Sequence, residues 1–231
     1  MKITTGSNLL ASATFAVLAL AGTPVQADLL DFNLTASNLG GGFSGPFAHV
    51  QVNQTSTTTA TLTFTSLTNG GYTYLLGGQG AVAANISGTY TLGSLAGIGT
   101  NSFASFTPGP YSNGGTANEN GWGSFKQTID SFDGFTHSAT TISFAITATG
   151  ATSWASAAAV LTANAGGSLA AAHVFACPVA CDIGDTAALT GYAAGTGGSS
   201  PPTEVSEPNS ASIALLALGL LGAGFWTRRK S

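Results

Sequence analysis

Apolar and polar residues alternate through the middle of the chain. Residues 141–147 place Ile142, Phe144 and Ile146 on one side of an extended backbone, with threonine and small residues on the other. Residues 61–65 repeat the pattern, with leucine and phenylalanine alternating with threonine. Because successive side chains of a strand point to opposite faces, this period of two predicts strands with one buried and one wet face.

Turn signals separate these strands. An Asn-Gly-Gly turn at residues 69–71 lies between the strand at 61–65 and another at 72–76, and the three segments together predict a β-hairpin. Further strands are predicted at 47–52, 89–92, 123–129 and 172–177, and glycine-rich breaks at 39–45, 77–80, 108–115 and 150. Short strands between turn signals are typical of an all-β fold, here an antiparallel β-sandwich or jelly roll.

One alanine-rich segment, residues 153–163, interrupts the strand pattern. Ser153 is a suitable N-cap and alanine has the highest helix propensity, so the segment predicts a helix. A loop with a short strand is the alternative, because strand signals dominate the neighbouring sequence.

The N-terminus has the parts of a secretory signal peptide. A lysine follows the initiator methionine, residues 9–21 are mostly apolar, and Val25 and Ala27 are small residues before a cut after Ala27. Residues 1–27 are therefore predicted to be removed by signal peptidase, which leaves residues 28–194 as the exported domain. An N-terminal membrane helix is the alternative, although the apolar stretch is short for one.

The C-terminal part combines a linker, an apolar run and a basic end. Residues 195–204 are rich in glycine, serine and proline, which is typical of a flexible linker. Residues 211–226 carry no charge, and as a helix they would span about 24 Å of a hydrocarbon core about 30 Å thick. Three basic residues follow and favour a single transmembrane helix with a cytoplasmic C-terminus: Arg228, Arg229 and Lys230. The alternative is a buried helix of a soluble domain, but such a helix usually has a polar face.

Residues 205–231 resemble a PEP-CTERM sorting signal, whose pattern is a Pro-Glu-Pro-like triplet, a hydrophobic helix and an arginine-rich end. Ser206, Glu207 and Pro208 form the triplet, with serine in place of the first proline. The resemblance implies export, transient anchoring in the inner membrane and cleavage near the triplet by an exosortase. It further implies release to the surface or extracellular matrix of a Gram-negative bacterium that makes exopolysaccharide.

Charged residues are scarce between the two ends. All nine acidic residues lie between Asp28 and Glu207, and Lys126 is the only basic residue in that stretch. Nucleic-acid binding needs several basic groups facing phosphates, so this class of partner is excluded. Threonine, serine, asparagine and glycine must provide solubility instead, which suits a surface protein among polysaccharides and also describes many inert β domains.

The chain has two cysteines, Cys177 and Cys181. Export would place them in an oxidising compartment, so we predict a disulfide between them, with free thiols as the alternative. A zinc site would need two more ligands, for which His173 and Asp182 are the nearest candidates, and we do not predict one.

No set of catalytic residues is evident, so we predict neither an enzyme nor a catalytic metal. His49, His137 and His173 are far apart in the sequence and form no zinc-hydrolase motif. Each is predicted to pack in the fold or to lie at the edge of a strand.

Two pairs of aspartates lie three residues apart, Asp130 with Asp133 and Asp182 with Asp185. Carboxylate clusters in turns are ligands that calcium prefers, so a structural calcium ion is one interpretation. Paired carboxylates are also the chemistry of a glycosidase. The alternative is that each aspartate caps its own turn.

Three aromatic residues lie near loop signals and are candidates for stacking on sugars: Trp122, Tyr111 and Trp154. Packing in the core is the alternative, because tryptophan is highly buried on average.

The function predicted is that of an exported, exosortase-processed surface or matrix protein with a non-enzymatic structural or adhesive role in biofilm or exopolysaccharide. The alternative is a carbohydrate-binding module or a carbohydrate-active hydrolase.

Overall fold

Fourteen β-strands and one four-residue helix make up the part of the protein that the computed structural model describes, residues 27–132 and 134–197. In chain order they are β1 (Asp28–Leu34), β2 (Ala36–Ser37), β3 (Ala48–Ser56), β4 (Thr59–Ser66), β5 (Thr68–Asn69), β6 (Tyr72–Leu76), β7 (Val82–Ala84), β8 (Tyr90–Leu92), β9 (Gly99–Thr100), β10 (Tyr111–Glu119), β11 (Gly123–Ser131), β12 (Thr141–Ala148), α1 (Ala157–Val160), β13 (Ala170–Pro178) and β14 (Leu189–Gly195).

The strands form two sheets. The first has the order β1-β3-β4-β12-β8, with β9 also paired to β12. The second has the order β10-β11-β7-β13-β14-β2, with β6 paired to β13 and β5 to β6. Every strand pairing within the described residues is antiparallel.

One hydrophobic core lies between the sheets. The first sheet contributes Val50, Leu62 and Phe144, and the second contributes Val82 and Val174, all of them buried. Side chains from two facing sheets that share one core define a sandwich arrangement. The predicted all-β, sandwich-like class is therefore confirmed.

The first sheet follows the predicted alternation. In β4 and β12 the apolar positions are buried in the core, and the intervening threonines and serines are partly exposed on the outer face. There, the Thr63 Oγ1 and Ser143 Oγ atoms form a cross-strand hydrogen bond of 2.9 Å. The strands predicted at 61–65 and 141–147 are thus confirmed, together with the inward orientation of their apolar residues.

The second sheet is covered on both faces along its central strand β13, which the alternation rule did not predict. Along β13, Ala172 and Val174 face the main core, whereas Phe175 and Cys177 face away from it. Two smaller clusters cover this outer face: Leu75, Phe106, Phe175, Cys177 and Cys181 in one, and Ala83, Phe125, Ala171 and Ala194 in the other. The expectation of one wet face is wrong for this sheet, because the surrounding loops supply a second apolar layer.

The predicted hairpin between residues 61–65 and 72–76 is wrong, although both segments are strands. The Asn-Gly-Gly turn is tight, with φ of 59° at Gly70 and 83° at Gly71, but it joins β6 to the short β5. The chain crosses between the sheets just before β5, and β6 then pairs with β13 of the second sheet. The turn is fixed locally, whereas the pairing partner is fixed by contacts distant in sequence.

The predicted helix at 153–163 is reduced to the single turn α1, so most of that prediction is wrong. Ser156, and not Ser153, caps it by accepting a hydrogen bond from the Ala159 amide. Leu161 is already extended and bridges to Ile86. Tertiary contacts on both sides of α1 therefore outweigh the helix propensity of alanine.

Two predicted boundaries are also wrong. The glycine-rich break at 108–115 runs into β10, which begins at Tyr111 and pairs with β11 through two register shifts that accommodate Gly115 at φ 62°. Gly195, predicted as the first residue of the linker, is the last residue of β14 and pairs with Ala170.

Residues 1–26 of the predicted signal peptide, residues 198–204 of the predicted linker and the C-terminal segment predicted to cross a membrane lie outside the described residues. Within those residues, no helix is long and apolar enough to cross a membrane.

Candidate functional site

A polar pocket of about 260 Å³ lies on the outer face of the second sheet. Its lining residues are Gln79, Gly80, Ala117, Asn118, Glu119, Asp130 and Tyr192. They come from the loop between β6 and β7 and from three strands, β10, β11 and β14. Among the pockets of the described residues, this one combines two carboxyl groups with a phenol.

Gly80 holds the two carboxyl groups of the pocket together. Its N–H donates to Asp130 Oδ1 at 2.8 Å, and its backbone lies directly against the Glu119 carboxyl. A Cβ at this position would lie 2.2 Å from Glu119 Oε1, and φ is 61°, so glycine is the residue that fits. The loop thus brings together two acids that are eleven positions apart in the sequence.

Burial makes Glu119 unusual among the acids of the chain. The residue is only 2% exposed, and burial together with the nearby Asp130 charge raises its pKa to about 7, against a smaller lowering by the Tyr192 hydroxyl. Burial and the same two acids raise the pKa of Tyr192. Lys126, the single basic residue among those described, is exposed and does not line the pocket.

His173 packs beside Tyr192 of the pocket and is neutral at pH 7. Its Nδ1 lies 2.7 Å from the Gly77 carbonyl and its Nε2 lies 2.7 Å from Thr190 Oγ1. A carbonyl can only accept, so Nδ1 carries the proton and Nε2 accepts from the threonine hydroxyl. Burial lowers the pKa of His173, and its ring packs against Tyr192 with centroids 4.7 Å apart. These contacts agree with the prediction that His173 packs in the fold.

Trp122 does not project as a stacking platform. It lies in the turn between β10 and β11, is half-buried, and packs against the outer cluster of Ala83, Phe125, Ala171 and Ala194. Its Nε1 donates to the Tyr192 carbonyl at 3.3 Å. The ring therefore fixes β14 to this turn, close to the polar pocket.

Tyr111 lies at the other end of the β10–β11 hairpin. It borders an apolar cleft of about 360 Å³ with Leu95, Ala96, Gly97, Pro108 and Pro110. Its hydroxyl is buried, has no hydrogen-bond partner among the described residues, and lies against Gly99. Burial raises its pKa to about 12. The structure therefore does not bring Tyr111 and Trp122 together.

Trp154 is a core residue. It is 1% exposed, and its Nε1 donates to the Ser87 carbonyl at 3.1 Å. The interpretation of this ring as a sugar-stacking candidate is wrong, because its faces are covered by the main core.

The side chains of Asp182 and Asp185 form hydrogen bonds with backbone amides of their own turn. Asp185 Oδ2 accepts from the Asp182 amide at 2.8 Å, and Asp182 Oδ1 accepts from the Ile183 amide at 2.5 Å. These contacts favour turn capping over the calcium interpretation. Asp133, predicted to pair with Asp130, lies outside the described residues.

The disulfide between Cys177 and Cys181 is present, with their Cα atoms 5.7 Å apart, and confirms that prediction. Both cysteines are buried in the outer cluster with Leu75, Phe106 and Phe175. Asp185 lies close enough to complete a three-ligand group, but bonded sulfurs are not thiolates and do not bind a metal.

We predict that the Cys177→Ala/Cys181→Ala double variant loses about 2 kcal/mol of unfolding free energy, because the bridge closes a short loop of about five residues. Urea unfolding with and without reductant is the measurement. The wild type should become less stable in reductant and the double variant should not change. A wild type that is indifferent to reductant would contradict the prediction.

The sequence-based interpretation missed Glu119, Gln79, Gly80 and Tyr192. The signal available was a glutamate directly before an Asn-Gly turn in a chain with few charges. The sequence around Tyr192 contains no local pattern that indicates a binding site. The pocket combines hydrogen-bond acceptors in a concave polar surface, an arrangement suited to binding hydroxyl groups or holding a proton.

No protein-family model, curated protein or solved structure matches the chain.

Proposed function

We propose that the chain is an exported β-sandwich protein that is held briefly in the inner membrane by its C-terminal segment, cleaved by an exosortase, and delivered to the cell surface or extracellular matrix. There it serves a non-enzymatic structural or adhesive role in biofilm or exopolysaccharide. The observation that carries the proposal is the order of triplet, apolar run and basic end in residues 205–231.

The disulfide supports export. Disulfides persist in oxidising compartments and are rare in the cytosol, so a bridge between Cys177 and Cys181 fits a protein that leaves it. The threonine-rich outer face of the first sheet supports a polar but almost uncharged exterior. Such a surface can lie among neutral polysaccharide chains without strong electrostatic attraction or repulsion.

Deleting residues 206–231 should abolish retention at the inner membrane. The matched control is Glu207→Ala/Pro208→Ala, which keeps the apolar run and changes only the triplet. Cell fractionation should show the wild type processed and at the surface, the deletion variant released without membrane retention, and the control variant retained at the inner membrane in uncleaved form. Unchanged surface delivery of the deletion variant would contradict the proposal.

Carbohydrate binding is a second candidate, and the polar pocket is the observation that favours it. Glu119 and Asp130 offer carboxyl oxygens beside the Tyr192 hydroxyl, and such groups bind sugar hydroxyls through paired hydrogen bonds. Binding of the processed protein to a glycan array, weakened by Asp130→Ala, is the expected result for this candidate. A folded protein that binds no glycan would remove it and leave the structural role unaffected.

A further inference from the structure

We propose that Asn120, in the turn between β10 and β11, is a site of spontaneous deamidation, which places an aspartate or an isoaspartate directly beside the polar pocket. The observations that carry the proposal are the contacts of three asparagines that each precede a glycine. The inference concerns the chemistry of this turn and does not rest on the proposed role at the cell surface.

The reaction needs an asparagine side chain and the backbone nitrogen of the next residue. That nitrogen forms a bond to the asparagine Cγ, the Cγ–Nδ2 bond breaks, and Nδ2 leaves as ammonia with the proton of the attacking nitrogen. Water then opens the resulting imide, at the new bond to give aspartate or at the original peptide bond to give isoaspartate. Glycine as the next residue favours the attack, because it has no Cβ and its backbone rotates freely.

The chain contains three Asn-Gly pairs, at residues 69–70, 113–114 and 120–121. In the first pair the leaving group is held, because Asn69 Nδ2 donates to the carbonyls of Ser44 and Gly45. The reaction must break both hydrogen bonds before Nδ2 can depart. The fold therefore protects Asn69, although its dipeptide is the same as the other two.

The second pair is held within β10 and against β11. Asn113 Oδ1 accepts from the Gly115 N–H at 2.9 Å and from Gln127 Nε2 at 2.8 Å. The Gly114 backbone is packed as well, since a Cβ there would lie 2.3 Å from Thr128 Oγ1. Rotation of this side chain or backbone towards the reactive geometry is therefore opposed at both residues.

Asn120 is exposed and differs from the other two asparagines. Within the part of the chain that the structure describes, neither its side chain nor the Gly121 N–H makes a hydrogen bond. A backbone hydrogen bond from the Trp122 N–H to the Glu119 carbonyl, at 2.8 Å, closes the turn, and the Asn120 carbonyl accepts from Asn38 Nδ2 at 2.9 Å. Both contacts leave the Asn120 Cγ and Nδ2 atoms free, so this pair is the one poised to react.

The product changes a turn that joins two parts of the pocket region. Glu119 lines the pocket, and Trp122 Nε1 donates to the Tyr192 carbonyl at 3.3 Å. Isoaspartate carries the backbone through Cβ and Cγ of residue 120, which lengthens the chain between Glu119 and Trp122 by one atom. Aspartate keeps that length and adds a negative charge next to the two acids of the pocket, Glu119 and Asp130.

Mass spectrometry of the aged full-length protein tests the site. The protein is incubated in detergent at mildly alkaline pH and digested with chymotrypsin, and the peptide of each asparagine is followed with time. We expect Asn120 to deamidate roughly tenfold faster than Asn69 or Asn113, because each of these must first lose two hydrogen bonds. In urea the three rates should converge, since the dipeptide is the same and the fold no longer protects the other two.

Equal rates at the three asparagines of the folded protein would overturn the proposal. So would an Asn120 that stays intact in the folded protein while it reacts in urea. Asn120→Gln is the matched control, because glutamine keeps the amide but forms the corresponding ring far more slowly. On ageing, the NMR signal of the Trp122 indole N–H should shift in the wild type and stay in place in Asn120→Gln, whereas an unchanged signal after complete deamidation would contradict the effect on the pocket.

Discussion

Replacing Trp154 with alanine should lower the free energy of unfolding by about 3–5 kcal/mol. The ring is the largest of the fully buried side chains in the described residues, so its removal leaves a cavity in the main core. It also removes the Nε1 donor from the Ser87 carbonyl, a partly buried acceptor that would then lack this partner. Urea unfolding of the variant and the wild type measures the loss.

The matched control for this prediction is Trp122→Ala. That ring is half-buried at the edge of the outer cluster, where solvent can fill the space it leaves. The decrease in unfolding free energy of Trp122→Ala should be less than half of the decrease in Trp154→Ala. Equal losses in the two variants would mean that Trp154 is not the core residue described here.

Gly80→Ala should lower the free energy of unfolding by about 3 kcal/mol. Part of the loss, about 1–2 kcal/mol, comes from forcing a residue with a Cβ to a positive φ. The rest comes from overpacking, about 1–3 kcal/mol, because the new Cβ would lie 2.2 Å from Glu119 Oε1 and 2.4 Å from Oε2. Chemical denaturation at pH 6, where Glu119 is mostly protonated, is the measurement.

Gly71→Ala separates the two causes. Gly71 also has a positive φ, 83°, but nothing lies within 4 Å of the Cβ position. This control should lose only the backbone contribution, about 1–2 kcal/mol. If both variants lost the same amount, the close contact between Gly80 and the Glu119 carboxyl would be contradicted.

The strands of the first sheet are predictable because its outer face is exposed to solvent. In residues 141–147 the contrast between isoleucine or phenylalanine and threonine reports directly which face is buried. The second sheet offers less contrast. β13 contains four alanines and is buried on both faces, so no period of two distinguishes its inner side from its outer side.

Irregular strands were harder to predict for a related reason. β10 contains two adjacent glycines and two asparagines, a composition typical of a turn, and it becomes a strand through its pairing with β11. The helix predicted at 153–163 failed in the same way, because the extended pairing of Leu161 with Ile86 ends it after one turn. In both places, contacts distant in sequence decide the structure.

The polar pocket depends on strand order, which the local pattern does not report. Glu119 and Asp130 lie on neighbouring strands, but Tyr192 is 62 positions beyond Asp130 in the sequence. Although β7 and β13 lie between β11 and β14 in the sheet, its side chain reaches the pocket, where the hydroxyl donates to the Gln79 carbonyl at 3.2 Å. A pair of acids close in sequence suggested a site at Asp130 and Asp133, whereas the structure pairs Asp130 with Glu119.

Mass spectrometry of the mature protein from its native host tests export and tail cleavage together. The account predicts a chain that begins at Asp28, ends near Ser206–Pro208, and has Cys177 bridged to Cys181. A cytosolic, unexported precursor that keeps residues 226–231 under normal growth would contradict it.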